Sequence, residues 1–414
     1  MQIAKLVLLW ASALLLIYVS YFLGEIRTKN YSDRTFFGYS FSTRLIEANN
    51  ELLNLDLDEY RETVVSNCRE ALRKAPINHD VFLQMAKIAH SNNEKLYARA
   101  LVDEASRRKM RDRKVIKFSI QLASEVGNLH KIIDEIDLLY RLNFKNHQDY
   151  IKILSAMHAV PEGRKYINEK LRTNPIWGHD FLSFKIKNLS GAALLNLNQS
   201  LDVFLPAYDS NQNKLNLISD YAQQLIRNNF PDEAENFWIK TQDQKLVSSL
   251  KGSGLINPLF IRTNLSPPFN WLIANTPNIT TEMNPEGGFF ATFEGEKDTT
   301  LAFQTFRWPK ESKASVHYQA IISAQKSRGG FYLLLDCQSP TFFIKVIPLN
   351  YLFRNEIVKS DWVSLPNKEC KMARILILAK PGMLAGEISL FIKSLDIEFI
   401  TNEDFEIDGG GNHN

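Results

Sequence analysis

The feature that most limits what this chain can fold into is a recurrence at 34 residues. Ala71, Ala105 and Leu139 stand at that interval, and so do Pro76, Met110 and Phe144. The clearest unit runs from Phe82 to Met110. Phe82, Met85, Ala86 and Ala89 share one face of a first helix, a polar break follows at Ser91, Asn92, Asn93 and Glu94, and Ala98, Val102 and Ala105 line a second helix. Small residues at 86, 98 and 105 let two antiparallel helices approach closely, while Phe82, Met85 and Val102 give each neighbouring unit something to pack on. One such unit cannot bury its own apolar face, so the pattern has to repeat.

The repeat extends in both directions. Val64, Cys68, Ala71 and Pro76 occupy the places of Ala98, Val102, Ala105 and Met110, which makes Cys68 a small core residue. A third unit uses Ile116, Ser119, Ile120 and Ala123, then Ile132, Ile136 and Leu139, with Gly127 and Asn128 at its turn. A fourth begins at Tyr150, Ile153, Leu154 and Met157, but its closing Pro175 arrives early, so the turn at 160–163 is shortened. A last helical pair is expected at 214–228 and 231–241. With Pro76 and Pro175 closing units, the spacing of small and large residues resembles tetratricopeptide repeats over about half of the chain. That resemblance implies protein binding through a concave groove, and a rigid spacer is the alternative.

Length and charge narrow the function. A chain of 414 residues suits two or three domains, and a net charge of +3 lacks the concentrated basic face of a phosphate-neutralising nucleic-acid binder. Arg107, Arg108, Lys109, Arg111, Arg113 and Lys114 do crowd one inter-repeat turn, either as a patch for an acidic partner, lipid headgroups or an anionic polymer, or as a solvated turn. The histidines at 79, 90, 130, 147, 158 and 179 form no ligand-like pair, and no metal or other cofactor is expected. From Leu6 to Leu23 the chain carries no charge, enough for a helix of about 27 Å, near the hydrocarbon thickness of a bilayer. A membrane anchor over 1–28 is the expectation, because the small-x-small cleavage pattern of the rival signal peptide is missing. Lys5 precedes the span and Arg27, Lys29 and Arg34 follow it, a count that leans slightly towards a cytoplasmic body.

Strand alternation replaces helical spacing after Lys251. The repeat domain is placed at 36–250, a connector with Gly252, Gly254, Pro267 and Pro268 at 251–268, a β domain at 269–402 and a disordered tail at 403–414. Val316, Tyr318, Ala320 and Ile322 alternate with Ser315, His317, Gln319 and Ser323, and Phe331, Leu333, Leu335 and Cys337 form a second set, as expected of half-buried antiparallel strands. Near Lys393 the apolar phase moves from Ile388, Leu390 and Ile392 to Leu395, Ile397 and Phe399, which requires a bulge. Eight or so strands in this length fit a two-sheet sandwich. By strand count and its long last strand the domain resembles the galactose-binding-like jelly rolls found as carbohydrate-binding modules. The fold class is thus an anchor helix, an α-solenoid and an antiparallel β-sandwich.

No phosphate-binding loop, serine elbow or zincin motif occurs. Glu294, Glu296 and Asp298 form one tight acidic cluster, either glycosidase or calcium carboxylates or a solvated turn. Trp271, Trp308 and Trp362 are the glycan-stacking candidates, with a core role as the alternative at each. Cys337 and Cys370 flank two strands and are either bridged or two buried thiols. The whole chain resembles membrane-anchored repeat proteins encoded with bacterial exopolysaccharide machinery. That resemblance implies a non-enzymatic scaffold in polysaccharide assembly or export, anchored in the inner membrane with a periplasmic body. Its repeats would bind protein and its jelly roll would bind polysaccharide; the alternatives are a general interaction adaptor and a carbohydrate-active enzyme.

Overall fold

The computed structural model describes residues 45–49, 57–142, 147–274, 278–310, 312–324, 330–349, 357–364, 369–381 and 388–401. The expected anchor and tail lie outside them. Among the described residues no helix is long and apolar enough to cross a membrane. The chain divides into two compact units, Met1–Ile167 and Asn168–Asn414.

The first unit is helical: α1 Leu57–Lys74, α2 His79–Ser91, α3 Lys95–Arg108, α4 Arg113–Glu125, α5 Leu129–Arg141 and α6 His147–Ala159, with α7 Pro161–Leu171 at its end. Ala86, Ala98, Val102 and Ala105 are buried together, with Phe82 and Met85 partly buried against them. The 34-residue interval also appears in the caps. Asn78 accepts a hydrogen bond from the N–H of Asp80 at the start of α2, and Asp112, 34 residues on, accepts from Lys114 and Val115 at the start of α4. Each replaces a helical N–H partner that the first turn lacks. Cys68 is fully buried with Val64, Ala71 and Val81, and burial pushes its thiol up to about 12 in spite of a hydrogen bond from Asn49. A thiol so rarely ionised is a core group, not a nucleophile.

The second unit begins with helices α8 Gly178–Asn188, α9 Gly191–Leu195, α10 Asn198–Phe204, α11 Asn211–Arg227, α12 Pro231–Thr241 and α13 Gln244–Leu250. Ten strands follow: β1 Leu272–Ile273, β2 Ile279–Met283, β3 Phe289–Phe293, β4 Thr299–Arg307, β5 Ser312–Ala324, β6 Gly330–Ser339, β7 Thr341–Pro348, β8 Ile357–Val363, β9 Met372–Lys380 and β10 Ile388–Thr401. They form two antiparallel sheets, β1-β4-β9-β6-β7 and β2-β3-β10-β5-β8. Alternate residues of both sheets, among them Phe289, Val316, Ala320, Leu335, Ile375 and Leu390, meet in one apolar core, as the two inner faces of a sandwich must. The register of β10 against β5 shifts between Ile392 and Ser394, and this keeps Leu395 and Ile397 on the inner side.

The compact unit runs across the composition change at Lys251. Trp238 of α12 is fully buried, donates to the carbonyl of Ser266 at 2.7 Å and lies 5.5 Å from the Phe269 ring. Residues 251–268 are packed in place, with Leu255 and Phe260 inside the sandwich core. Asp396 on β10 accepts hydrogen bonds from the N–H groups of Ser253, Gly254 and Leu255. Gly254 is required there by close approach, since a Cβ would stand 2.4 Å from the Ile397 carbonyl, and a Cβ at 252 would press on the Asp396 carboxylate at 2.5 Å. The glycines therefore lock this stretch onto β10 rather than loosen it.

Candidate functional site

The three tryptophan candidates fall in different environments. Trp271 is 4% exposed, stacks on Phe260 at 4.4 Å and donates its ring N–H to the Asn257 carbonyl. Trp308 is 2% exposed, set edge-on to Phe399 at 5.6 Å with its ring N–H on the Ser312 carbonyl. Neither offers a ring face to a sugar, which corrects the stacking role for both. These indoles are core, and truncating either to alanine costs about 3 to 5 kcal/mol of stability.

Trp362 is different, with 52% of its surface exposed. It lies on β8, the edge of the second sheet, and its position is fixed from three sides. Its backbone pairs with Ser315 on β5. The preceding Asp361 accepts from the Tyr318 phenol, whose titration is pushed up to about 12 first by burial and then by that carboxylate. Lys345 of β7 donates to the Trp362 carbonyl and so ties the edges of the two sheets. A broad aromatic surface is thus held open to solvent on an ordered backbone.

The pairing register shows what surrounds it. Side chains of one strand alternate between faces, so the residues of β5 that oppose the buried Val316, Tyr318 and Ala320 are Ser315, His317, Gln319 and Ile321, all on the outer face. Ser315 stands in one row with Trp362 on β8 and Glu398 on β10. His317 bonds to Glu398 at 3.1 Å across the strands, and both remain well exposed. At the far end of the same face Ile321, 41% exposed, pairs with Phe391, and Phe391 pairs with Phe290, 40% exposed. Gly288, at φ +106°, leaves room for the Phe391 ring, which a Cβ there would meet at 2.7 Å. Six residues of β5 separate the two ends, about 20 Å at the usual strand rise. The strip is apolar at both ends and polar between, a layout suited to an extended polymer that presents both ring faces and hydroxyls.

Other candidates carry structural duties. Cys337 and Cys370 are joined by a disulfide that closes the first sheet beside β9. In the basic cluster, Arg107 and Arg108 pair with Glu104, Arg108 also lies over the Phe82 ring and on the Pro76 carbonyl, Lys109 pairs with Asp112, and Arg113 donates to the Leu142 carbonyl. Arg108 and Arg113 thus stitch successive repeats together, while Arg107 and Lys109 pair locally. Arg111 and Lys114 carry no such contact among the described residues. Glu294, Glu296 and Asp298 are all exposed, on the turn after β3.

His79, Asp80 and Asp112 come together closely enough to resemble a metal site, a grouping invisible in sequence spacing. The donor set argues otherwise. One Asp112 oxygen caps α4, and the other already accepts from His79 at 3.1 Å and from the Lys109 ammonium at 3.0 Å, which already supplies the positive charge at that carboxylate. A cavity of about 380 Å³ opens between Leu195, Asn198, Tyr221, Leu225 and Phe237 in the helical part of the second unit.

No family model matches the chain, and no curated protein does. Among solved structures it is similar to one titled "CBM4 structure and function", at 12% identity and a TM-score of 0.28, over 35% of this chain and 99% of that one. A likeness of that degree carries no argument for fold or function.

Proposed function

We propose that this chain is a non-enzymatic scaffold that holds a bacterial exopolysaccharide during assembly or export, with the sandwich, a jelly roll, as its glycan-binding part. The observation that supports this most is the solvent-open outer strip of the second sheet, with Trp362 at one end and Phe391 and Phe290 at the other. Sugar rings stack on aromatic faces, and Glu398 beside Trp362 with His317 and Gln319 further along β5 supply donors and acceptors for hydroxyls. The tetratricopeptide-like helices would hold a protein partner, and the anchor would fix the chain to the inner membrane with its body in the periplasm. A buried disulfide is in keeping with that compartment, because bridges persist where the surroundings oxidise.

The direct test is titration of the purified chain with neutral and charged bacterial polysaccharides. Trp362→Ala should weaken binding by about 1 kcal/mol, the scale of one aromatic contact, and leave the melting temperature unchanged. Binding that is indifferent to Trp362 would refute the strip as the site. For the compartment, a phosphatase fused after Asn414 should be active and a cytoplasmic fluorescent reporter dark.

A further inference from the structure

We propose that the strip selects amino sugars carrying free, protonated amines, an inference that rests on the glycan reading and names its ligand class. The argument starts from the row Trp362, Ser315, Glu398, which crosses three adjacent strands and so spans about 10 Å. At one end is an exposed indole, whose electron-rich face attracts cations as well as apolar ring faces. At the other end is the Glu398 carboxylate, 58% exposed on its side chain and hydrogen-bonded on one oxygen to His317. Among the described residues its second oxygen has no partner and is left to accept from a ligand. Between them lies Ser315, 2% exposed, with its Oγ unpartnered among the described residues. Orphaned buried hydroxyls are rare in native proteins, and one placed between an aromatic platform and a carboxylate points to a polar ligand.

Charge then sets the class. Asp396 lies on this face one row further along, but its carboxylate is taken by the N–H groups of Ser253, Gly254 and Leu255, and the cation on the same run of β5, Lys313, is not free. An anionic uronate polymer would meet the exposed Glu398 carboxylate. A neutral glycan would use the indole and leave Glu398 idle. A polymer of glucosamine type can stack one ring on Trp362 and place the ammonium of a neighbouring ring at Glu398, forming a charge-assisted hydrogen bond.

The full chain is titrated at low ionic strength with hexamers of glucosamine, N-acetylglucosamine, glucose and mannuronate. The free-amine hexamer should bind at least tenfold more tightly than the others. Glu398→Gln, with an unchanged melting temperature, should remove that advantage and leave the glucose hexamer unaffected, whereas Trp362→Ala should weaken both. Equal affinity for the amine and neutral hexamers, or an amine preference that survives Glu398→Gln, would overturn the amino-sugar assignment while keeping the glycan reading. Binding to none of the four would refute both.

Discussion

Single residues in this protein are set by what their neighbours leave unsatisfied, and Asp112 shows it best. Burial raises its carboxyl, but hydrogen bonds from His79 and Lys109, with their charges, outweigh that and hold it well below the usual carboxylate range. A carboxylate depressed in the folded state adds stability above its unfolded titration, and that stability is lost as pH falls towards the folded one. The loss therefore begins at about pH 5, where a free aspartate, half protonated at about pH 4, starts to take up protons. Asp112→Asn keeps the side-chain oxygen that caps α4 but removes the charge. Thermal melts between pH 5 and pH 3 should show the wild type losing stability more steeply than Asp112→Asn. Parallel curves would mean that the His79 and Lys109 contacts contribute nothing in solution.

At the scale of elements, the first sheet depends on a bridge between Cys337 on β6 and Cys370 just before β9. In the chain-entropy model a loop closed over a separation of 33 residues adds about 3 to 4 kcal/mol. Both sulfurs are buried, so reduction should be slow until the sandwich opens. The double variant Cys337→Ala, Cys370→Ala should be less stable by that amount in denaturant titration, and a mass showing three free thiols in the unreduced wild type would dispose of the bridge. The helices and most strands are legible in the sequence because their apolar periods differ and because small residues recur where helices touch. β8 is less so: Ile357, Val358, Trp362 and Val363 keep no single alternating phase. The site is legible only at Trp362. Ser315, His317 and Glu398 gather around it through pairing across separations of 47 residues (Ser315 to Trp362) and 83 residues (Ser315 to Glu398), which no local pattern encodes. Trp271 and Trp308 look equivalent to Trp362 in sequence, and only packing separates the core indoles from the open one.

For the whole molecule, the consequential feature is where the second compact unit begins. Composition changes at Lys251, yet the second unit starts at Asn168 and its sandwich is completed from outside the strands. Leu255 and Phe260 fill its core, Asn257 is fully buried and hydrogen-bonds to Asn270, and Gln304 reaches back to the Ile256 carbonyl. Arg307 at the end of β4 pairs with Asp232 and Glu235 of α12, while Trp238 and Gln242 hold Ser266. The exposed ion pairs contribute little, about 0 to 1 kcal/mol each. The buried groups contribute more, because a chain started at Phe269 would open cavities at 255 and 260 and leave the Gln304 amide without one of its carbonyl partners. A fragment of residues 168–401 should therefore be soluble and melt in one transition, whereas residues 269–401 should aggregate or melt far lower. Circular dichroism melts of the two fragments decide this. If the shorter one folds with the stability of the longer, the helices are a separate domain laid on a self-sufficient sandwich, and glycan binding can be studied on the strands alone.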